Sequence, residues 1–323
     1  MCVSIIKMGI KSLKKFIKEH FVQFSLSQGD TVCVDSSILM YKYRYIYDTD
    51  NFHIIGFINK VIEFLEQGVI PIFVFDGKPP EAKKETLKKR SETRNSMISK
   101  VKKLKEQVSE EFISDGEVDV ENVIEKVTYI QKIEKNILIV TKNHYLEVVE
   151  LLKSLGIPVY QSEGEAEQTC AFLQKNGYAN YVITEDTDSL TFGGTKILFK
   201  ENNGYLLCRL ENVLTNLGID YLQFVDFCIL CGCDYIPGIH KIGPVTALKI
   251  IKKGNIEHFI SENKKYTIPD SFNYQLARDI FTQELIITTN DFTVKKTNYT
   301  LATEILLKNK LDPEYYLNKN CFK

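Results

Sequence analysis

Short apolar segments rich in β-branched and aromatic residues alternate along the chain with longer segments of helical character. The apolar segments predict strands at residues 31–35, 69–76, 157–160, 181–186 and 196–200. The longer segments between them predict helices at residues 50–66, 144–155 and 166–174. This alternation predicts an α/β fold whose central sheet carries helices on both faces. From residue 210 onwards the pattern is helical throughout.

A long charged insertion, residues 78–142, separates the second predicted strand from the third. Between Lys78 and Lys105 it holds eleven Lys and Arg against three Glu, whereas the segment from Glu106 to Glu134 is rich in acidic residues. Because the net charge of the whole chain is −1, this uneven distribution is more informative than the total. The basic block is either a contact surface for phosphate groups or a solvated helix face.

Composition places the chain among globular proteins. Its 323 residues are 44% hydrophobic and 26% charged, which allows one large domain or two closely fused ones. The longest apolar runs are too short to span a bilayer, and lysines interrupt the apolar residues of the N-terminal segment. We therefore expect an intracellular protein with no membrane association.

Three of the eight cysteines lie close together in the segment 228-CILCGC-233. Cys228, Cys231 and Cys233 resemble a metal knuckle, but no second cluster of Cys or His completes a set of four ligands. The segment also continues an apolar, helix-like run. We predict that these cysteines are buried free thiols in a reducing compartment.

Carboxylates stand at the ends of three predicted strands. Asp35 closes the first, Asp76 the second, and Asp186 with Asp188 a later one. A single Asp at a strand end is usually a turn former or a helix cap. In open α/β sheets, however, ligand sites form at the carboxyl ends of the strands. Because Asp186 and Asp188 are two residues apart, they would face the same side of a strand.

Phosphodiester hydrolysis requires an activated water and relief of the charge on the phosphate. Two divalent ions about 4 Å apart supply both, and hard divalent ions need several carboxylate oxygens to hold them. The chain offers seven candidates: Asp35, Asp76, Glu165, Glu167, Asp186, Asp188 and Asp234. Glu165 also fits a capping box with Ser162, a purely structural role. Glu165 and Glu167 can converge only if Glu165 lies at the entrance of its helix.

The segments that carry these acids resemble the signature blocks of the flap endonuclease/XPG-type family, in the same order. The blocks are 33-CVDSS-37, 73-FVFDGKPP-80, 163-EGEAEQTCAFL-173, 184-TEDTDSLTFG-193 and 230-LCGCDYIPGI-239. Two linking segments, 140-VTKNH-144 and 224-FVDFCIL-230, are also similar, and the resemblance runs from Met8 to Ile251. It implies a PIN-like (5′-3′ exonuclease/resolvase-like) sheet followed by an all-α helix–two-turn–helix (SAM-like) region.

The resemblance also implies a division of the chain into regions. Residues 8–110 would form the N-terminal nuclease region with a basic gateway helix, and residues 91–140 a helical arch that overlaps it. Residues 141–230 would form the internal nuclease region, 231–300 the helix–two-turn–helix DNA-binding region, and 301–323 a C-terminal tail. The family begins at Met-Gly and packs that end near the site, so either Met8 is the start in place of Met1 or the N-terminus is displaced.

The resemblance implies two Mg²⁺ ions, with Mn²⁺ as a substitute. Asp35, Asp76 and Glu165 would hold one ion, Asp186, Asp188 and Asp234 would hold the other, and Glu167 would bridge them. Lys83 and Arg90, seven residues apart, share a helix face and would reach the scissile phosphate. An exposed basic face with no such role is the alternative reading of these two residues.

Four further residues are implied to bind DNA. Tyr41 would stack on the base beside the cleavage site, although a Tyr at such a position is more often part of a core. Gly238, Lys241 and Gly243 lie in 235-YIPGIHKIGPVTALKIIKK-253, whose backbone amides would grip the duplex and whose carbonyls would bind K⁺. The family usually reads R-G-I-G where this chain has His240-Lys241-Ile242-Gly243. A generic helix hairpin is the alternative.

The implied function is a structure-specific DNA endonuclease that cuts 5′ flaps in replication, repair or recombination, with 5′-3′ exonuclease activity at nicks or gaps. A junction- or bubble-cutting XPG-type endonuclease, a non-catalytic binder of DNA structures on the same fold, and a PIN-type ribonuclease are the alternatives. The expected partner is branched or flapped DNA, bound by a monomer in the nucleus or at the site of DNA replication. The C-terminal residues contain no sliding-clamp motif.

Overall fold

A seven-stranded sheet lies at the centre of the fold. The computed structural model describes residues 9–10, 12–113, 119–134, 136–137, 139–201, 204–287 and 292–322. The strands are β1 (Val22–Phe24), β2 (Thr31–Asp35), β3 (Ile70–Phe75), β4 (Val159–Gln161), β5 (Tyr181–Ile183), β6 (Lys196–Glu201) and β7 (Gly204–Arg209). Their order across the sheet is β1-β7-β6-β5-β2-β3-β4. Strands β2 to β6 are mutually parallel, whereas β7 runs antiparallel to both β6 and β1.

Helices cover both faces of this sheet, as predicted. The helices of the first half are α1 (Leu13–Ile17), α2 (Ser36–Ile46), α3 (Phe52–Glu66), α4 (Lys84–Ile113), α5 (Val120–Glu134), α6 (Lys142–Ser154), α7 (Ala166–Lys175) and α8 (Asp188–Thr191). Those of the second half are α9 (Leu210–Leu217), α10 (Tyr221–Cys231), α11 (Pro244–Ile251), α12 (Ile256–Glu262), α13 (Tyr274–Thr282), α14 (Tyr299–Lys308) and α15 (Pro313–Leu317). The α/β fold class is confirmed.

Strand alternation divides the apolar side chains between two cores. On β2, Val32 and Val34 pack with α3, α6 and α14, whereas Cys33 points to the opposite core with α7 and α10. On β3, Phe73 and Phe75 join the first core, and Ile72 and Val74 join the second. Successive side chains of a strand face opposite sides, so strands buried on both faces read as continuous apolar runs. This is why these two strands were recognisable in the sequence.

Two strands, β1 and β7, were not predicted from the sequence. Both lie on the antiparallel side of the sheet, and β1 is only three residues long and forms the edge. The strand predicted at 181–186 ends at Ile183, so Asp186 and Asp188 do not share a strand. Asp186 lies in the following loop, and Asp188 is the first residue of α8. The prediction that spacing of two on a strand brings these acids together is therefore wrong.

The chain is helical from residue 210 onwards, as predicted, with α9 to α13 in the second core and α14 and α15 in the first. Gly232, with a φ of 90°, ends α10, and the turn-rich segment leads to Pro244 at the start of α11. Arg278 on α13 binds Asp226 of α10 at 2.9 and 2.8 Å and Glu257 of α12 at 2.8 Å. These ion pairs tie the three helices together.

The insertion forms two helices that pack on each other. Val101 of α4 and Val123 and Ile130 of α5 are buried in their contact. Lys105 Nζ lies 2.7 Å from Glu134, so the acidic segment neutralises part of the basic one. Residues 114–118, 135 and 138 of the predicted arch lie outside the described residues, and the boundaries predicted for the regions remain predictions.

All seven cysteines among the described residues are free. Cys228 and Cys231 are buried in the core as predicted, whereas Cys233 is only half-buried. No single described helix has the length and apolar composition needed to cross a membrane. Helices α9 and α10 meet that test only when taken together across a bend of 83°.

Candidate active site

Three carboxylates form the tightest acidic group among the residues that the structure describes. Oxygen atoms of Glu167, Asp186 and Asp188 lie within 4.8 Å of one another, and all three side chains are buried. Glu167 comes from the first turn of α7, Asp186 from the loop after β5, and Asp188 from the start of α8. Asp186 Oδ1 accepts a hydrogen bond from the Asp188 amide at 3.0 Å, which fixes the loop.

The ends of β2 and β3 bring two further carboxylates to this group. Asp35 is buried and accepts a hydrogen bond from the Thr184 hydroxyl at 3.0 Å. Asp76 follows β3 and accepts one from the Ala166 amide at 2.8 Å, at the start of α7. Because β2 and β3 are adjacent and parallel, their carboxyl ends lie at the same edge of the sheet.

Lys83 lies among the remaining carboxylates. Its ammonium group donates to Glu165 Oε1 and lies 3.3 Å from Asp234. Arg90 also binds Asp234, with Nη2 at 2.7 Å from both oxygens. Lys83 ends a short 3₁₀ helix, and Arg90 lies in α4, which follows it directly. Both side chains reach Asp234, which agrees with the prediction that they point in the same direction.

Burial and mutual repulsion raise the pKa values of four carboxylates. Burial, followed by the charge of Asp76, raises the pKa of Asp35 to about 8. Burial is also the main cause of the raised pKa values of Glu167, Asp186 and Asp188, and the neighbouring Asp residues add to it. At neutral pH a group of acids so placed resists ionising together unless positive charge is supplied.

Lys83 supplies part of that charge. Burial lowers its pKa, but the charges of Glu167, Glu165 and Asp234 outweigh this effect and raise the pKa above the usual value. The ammonium group therefore remains charged and acts as a counter-ion within the acidic pocket. One ammonium cannot balance seven carboxylates.

The donor set matches a hard divalent cation. Every candidate ligand is a carboxylate oxygen, the type that Mg²⁺ and Mn²⁺ prefer. The charges of Asp76, Asp186 and Asp234 raise the pKa values of their neighbours, so these acids lie within electrostatic range of one group. The buried cluster of Glu167, Asp186 and Asp188 can hold a metal ion.

The backbone at Gly9 and Ile10 is part of the site, as the resemblance to a family that begins at Met-Gly implies. The Ile10 amide donates to Asp188 Oδ1 at 2.9 Å. Gly9 has a φ of 75°, and a Cβ added there would lie 1.8 Å from Asp186 Oδ1. The resemblance to a family that begins at Met-Gly was the only signal for this contact, and Met8 itself lies outside the described residues.

Glu165 occupies the N-cap position of α7, the helix entrance that its convergence with Glu167 requires. The predicted capping box with Ser162 is wrong. The Glu165 side chain makes no cap hydrogen bond, and the buried Ser162 hydroxyl has no hydrogen-bond partner among the described residues. Glu165 instead accepts hydrogen bonds from Lys83 and from the Tyr235 hydroxyl, so these tertiary partners override the local pattern. Tyr235 was another residue that the sequence analysis did not single out.

The four candidate DNA-binding residues lie in two places. Tyr41 is half-buried on α2, six residues after Asp35. Gly238 packs closely on Gly232, and a Cβ there would lie 3.1 Å from backbone atoms. Gly243 has open space around it, which allows another molecule to approach. Lys241 is exposed and has a φ of 65°, a conformation that glycine adopts more readily. Their roles in DNA binding remain predictions.

Comparison with known proteins agrees with the acidic site and the sheet. Residues 8–97 match the XPG N-terminal domain, and residues 156–234 match the XPG I-region. Flap endonuclease 1 from Cryptosporidium muris (strain RN66) is 35% identical over 321 residues, covering 88% of this chain and 64% of that relative. Flap endonuclease 1-B from Physcomitrium patens is 34% identical over 311 residues, covering 88% of this chain and 84% of that relative.

The fold is also that of a solved nuclease core. The catalytic core of Rad2, solved in complex with DNA substrate, superposes with a TM-score of 0.72 at 23% identity, covering 96% of this chain and 97% of that one. The fold and acidic site thus define a PIN-like α/β core with a helical C-terminal region. The chain belongs to the flap endonuclease/XPG family. It spans 64% of the Cryptosporidium relative and 52% of flap endonuclease 1 from Plasmodium knowlesi (strain H).

Proposed function

We propose that this chain is a structure-specific DNA endonuclease that cuts 5′ flaps by hydrolysing phosphodiester bonds. The observation that carries the proposal is the convergence of acids from five separate segments on one pocket that also contains Lys83. A binding module has no need for such a costly concentration of buried carboxylates. Membership of the flap endonuclease/XPG family supports DNA as the substrate.

Divalent cations, Mg²⁺ with Mn²⁺ as a substitute, would bind at the seven carboxylates. Bound there, they would supply a more acidic water and neutralise charge on the phosphate and the leaving oxygen. We keep the predicted division of ligands, in which Asp35, Asp76 and Glu165 serve one ion, Asp186, Asp188 and Asp234 serve the other, and Glu167 serves both.

Lys83 and Arg90 would then act on the substrate. In the described structure Lys83 is paired with Glu165, and Lys83 and Arg90 are both paired with Asp234. When cations neutralise those carboxylates, the ammonium and guanidinium groups become available to the phosphate. Arg90, whose planar group can donate two hydrogen bonds to one phosphate, would stabilise charge that develops on the non-bridging oxygens.

The remaining contacts would select the DNA structure. Tyr41 would stack on the base next to the cut bond, and the arch formed by α4 and α5 would receive the single-stranded 5′ end. The segment between α10 and α11, with Gly238, Lys241 and Gly243, would hold the duplex backbone and bind K⁺ through its carbonyls. The expected form is a monomer that acts in the nucleus or where DNA is replicated.

A junction- or bubble-cutting activity is the nearest alternative within the family. The segment between the two nuclease regions favours the flap activity over that of large bubble-cutting members, because it is short enough to form only α4 and α5 among the described residues. A non-catalytic DNA-binding protein on this fold would be expected to lack one or more of the acids, and all seven are present.

Divalent cations should stabilise the folded chain more at pH 8 than at pH 6. The pKa of Asp35 is raised from 3.8 to about 8, so its contribution to stability is present at low pH and is lost as the pH rises towards 8. Bound Mg²⁺ would restore the lost stability because it favours the ionised form of Asp35. Thermal midpoints with EDTA should therefore be lower at pH 8 than at pH 6. The increase that Mg²⁺ causes should be several degrees larger at pH 8 than at pH 6. Equal increases at both pH values would contradict this account.

Cleavage of end-labelled DNA tests the proposed function. Four substrates of the same sequence, a 5′ flap, a nick, a bubble and a four-way junction, should be incubated with the chain in Mg²⁺ and in EDTA. We expect cutting of the flap near the base of the single strand, and none in EDTA. Preferred cutting of the bubble or junction would support the alternative activity. Binding without any cutting would support the non-catalytic one.

A further inference from the structure

Two lysines from different helices converge on one carboxylate beside the acidic pocket. Lys42 of α2 donates to Glu185 Oε1 at 2.6 Å, and the Lys14 ammonium of α1 lies 3.6 Å from Glu185 Oε2. We call Lys14, Lys42 and Glu185 the rim triad. With two ammonium groups and one carboxylate, its net charge is +1.

The rim triad lies next to residues of the candidate active site on all three of its segments. Glu185 immediately precedes Asp186, and Lys42 immediately follows Tyr41. The charge of Asp186 also acts on the Lys14 ammonium, which places the two groups within electrostatic range. Lys83 and Arg90 contact Glu165 and Asp234, so the rim triad is a second basic group beside the same pocket.

A structural role accounts poorly for two cations at this position. The three side chains are 28–41% exposed, and ion pairs with such exposure contribute little to stability. Burial of Lys14, together with the charge of Lys42, lowers the Lys14 pKa despite the pairing with Glu185. The Lys14 ammonium nitrogen lies 4.2 Å from the centroid of the Phe199 ring, which limits its freedom to move away. Holding a second ammonium group at this position therefore costs free energy.

A phosphate group of a DNA strand is a suitable ligand for this excess positive charge. Phosphates follow one another at every nucleotide, so a strand with one phosphate at the carboxylates carries the next phosphate to the edge of the pocket. We propose that Lys14 and Lys42 bind the phosphodiester group adjacent to the one that is cut, and that Glu185 balances part of their charge when no DNA is bound. The inference rests on the proposed function, and it names a contact that orients the strand.

The test measures binding of a labelled 5′-flap DNA in EDTA at a series of KCl concentrations, and cleavage of the same DNA in Mg²⁺. Lys14→Gln and Lys42→Gln should each weaken binding and lower the slope of log affinity against log salt by about 0.7–0.9. Lys15→Gln, which removes an exposed lysine one position along α1, is the matched control and should leave the slope unchanged. In cleavage, the two lysine variants should raise KM with little change in kcat.

Glu185→Gln separates phosphate binding from a structural role. If the lysines bind phosphate, this variant should bind the flap DNA as tightly as the unmodified chain or more tightly, because a competing carboxylate has gone. If the triad only holds the loop that carries Asp186, all three variants should lower kcat and leave the salt slope unchanged, and the inference fails. It fails equally if the lysine variants behave like Lys15→Gln. An unmodified chain that neither binds nor cuts the DNA would instead contradict the proposed function.

Discussion

Replacing Asp186 by Asn should lower metal-dependent cleavage of 5′-flap DNA by about a thousandfold or more. Asp186 belongs to a buried group of three carboxylates that can hold a metal ion, and the amide that replaces it is neutral and a weaker ligand for a hard cation. The substitution preserves the shape of the side chain, and its amide oxygen can still accept the hydrogen bond from the Asp188 backbone. The loss should therefore come from charge and not from misfolding. Initial cleavage rates at saturating DNA, measured over a range of Mg²⁺ concentrations, would quantify it.

The same substitution should have the opposite effect on stability in EDTA. Because burial and the surrounding acids raise the pKa of Asp186, a neutral side chain relieves repulsion in the metal-free pocket. We expect a thermal midpoint about 2 °C higher than that of the unmodified chain. Asp279→Asn, at an exposed position of α13, is the control and should change neither property. Full activity of the Asp186→Asn chain would remove this residue from the proposed chemistry.

Replacing Gly9 by Ala should lower cleavage by about a hundredfold. A Cβ at this position would lie 1.8 Å from Asp186 Oδ1 and 2.8 Å from Asp188 Oδ1, so both carboxylates would have to move. A displacement of about 1 Å among catalytic groups can cost two orders of magnitude in rate. The variant should also need more Mg²⁺ to reach half of its maximal rate, because two candidate ligands are displaced together.

Gly177→Ala is a matched control for this experiment. Gly177 has a φ of 80°, close to the 75° of Gly9, but a Cβ at Gly177 would meet no atom within 4 Å. Both substitutions impose the strain of a left-handed backbone on alanine, which costs about 1–2 kcal/mol. Only Gly9→Ala adds the collision with the carboxylates. If the two variants lost activity to the same extent, backbone strain would explain the effect and the contact with Asp186 would not.

Much of the fold could be predicted from the sequence because its parallel strands are buried on both faces. The segments at β2 and β3 are apolar at nearly every position, so both their existence and the carboxylates that follow them could be predicted. Strand β1 has no such signal, since it is short and Val22 is 50% exposed at the edge of the sheet. Strand β7 follows β6 closely and pairs with it in an antiparallel hairpin, an arrangement that the parallel α/β interpretation did not anticipate.

The acids of the site could also be predicted from the sequence. Metal chemistry needs several carboxylates, and the resemblance to a known family supplied their order along the chain. Their local geometry was less accessible, because it depends on contacts between distant segments. Asp186 and Asp188 are held by a loop and a short helix, and Glu165 is drawn to Lys83 and Tyr235.

Contacts that join residues far apart along the chain left no local pattern. Lys14 and Glu185 are 171 positions apart in the sequence, and only the folded chain shows that they meet. The requirement for glycine at position 9 is of the same kind, because it arises from side chains of the loop after β5. Such features depend on tertiary structure and could not be derived from periodicity or spacing.

Anomalous X-ray diffraction from crystals of the chain soaked with Mn²⁺ is the most direct test of the central claim, that the buried acids form a divalent-metal centre. We predict an anomalous peak at about 2.1 Å from carboxylate oxygens of Glu167, Asp186 and Asp188. The peak should be lost in crystals of the Asp186→Asn chain. A well-ordered pocket without an anomalous peak at a saturating Mn²⁺ concentration, or peaks confined to other acidic residues, would contradict the account.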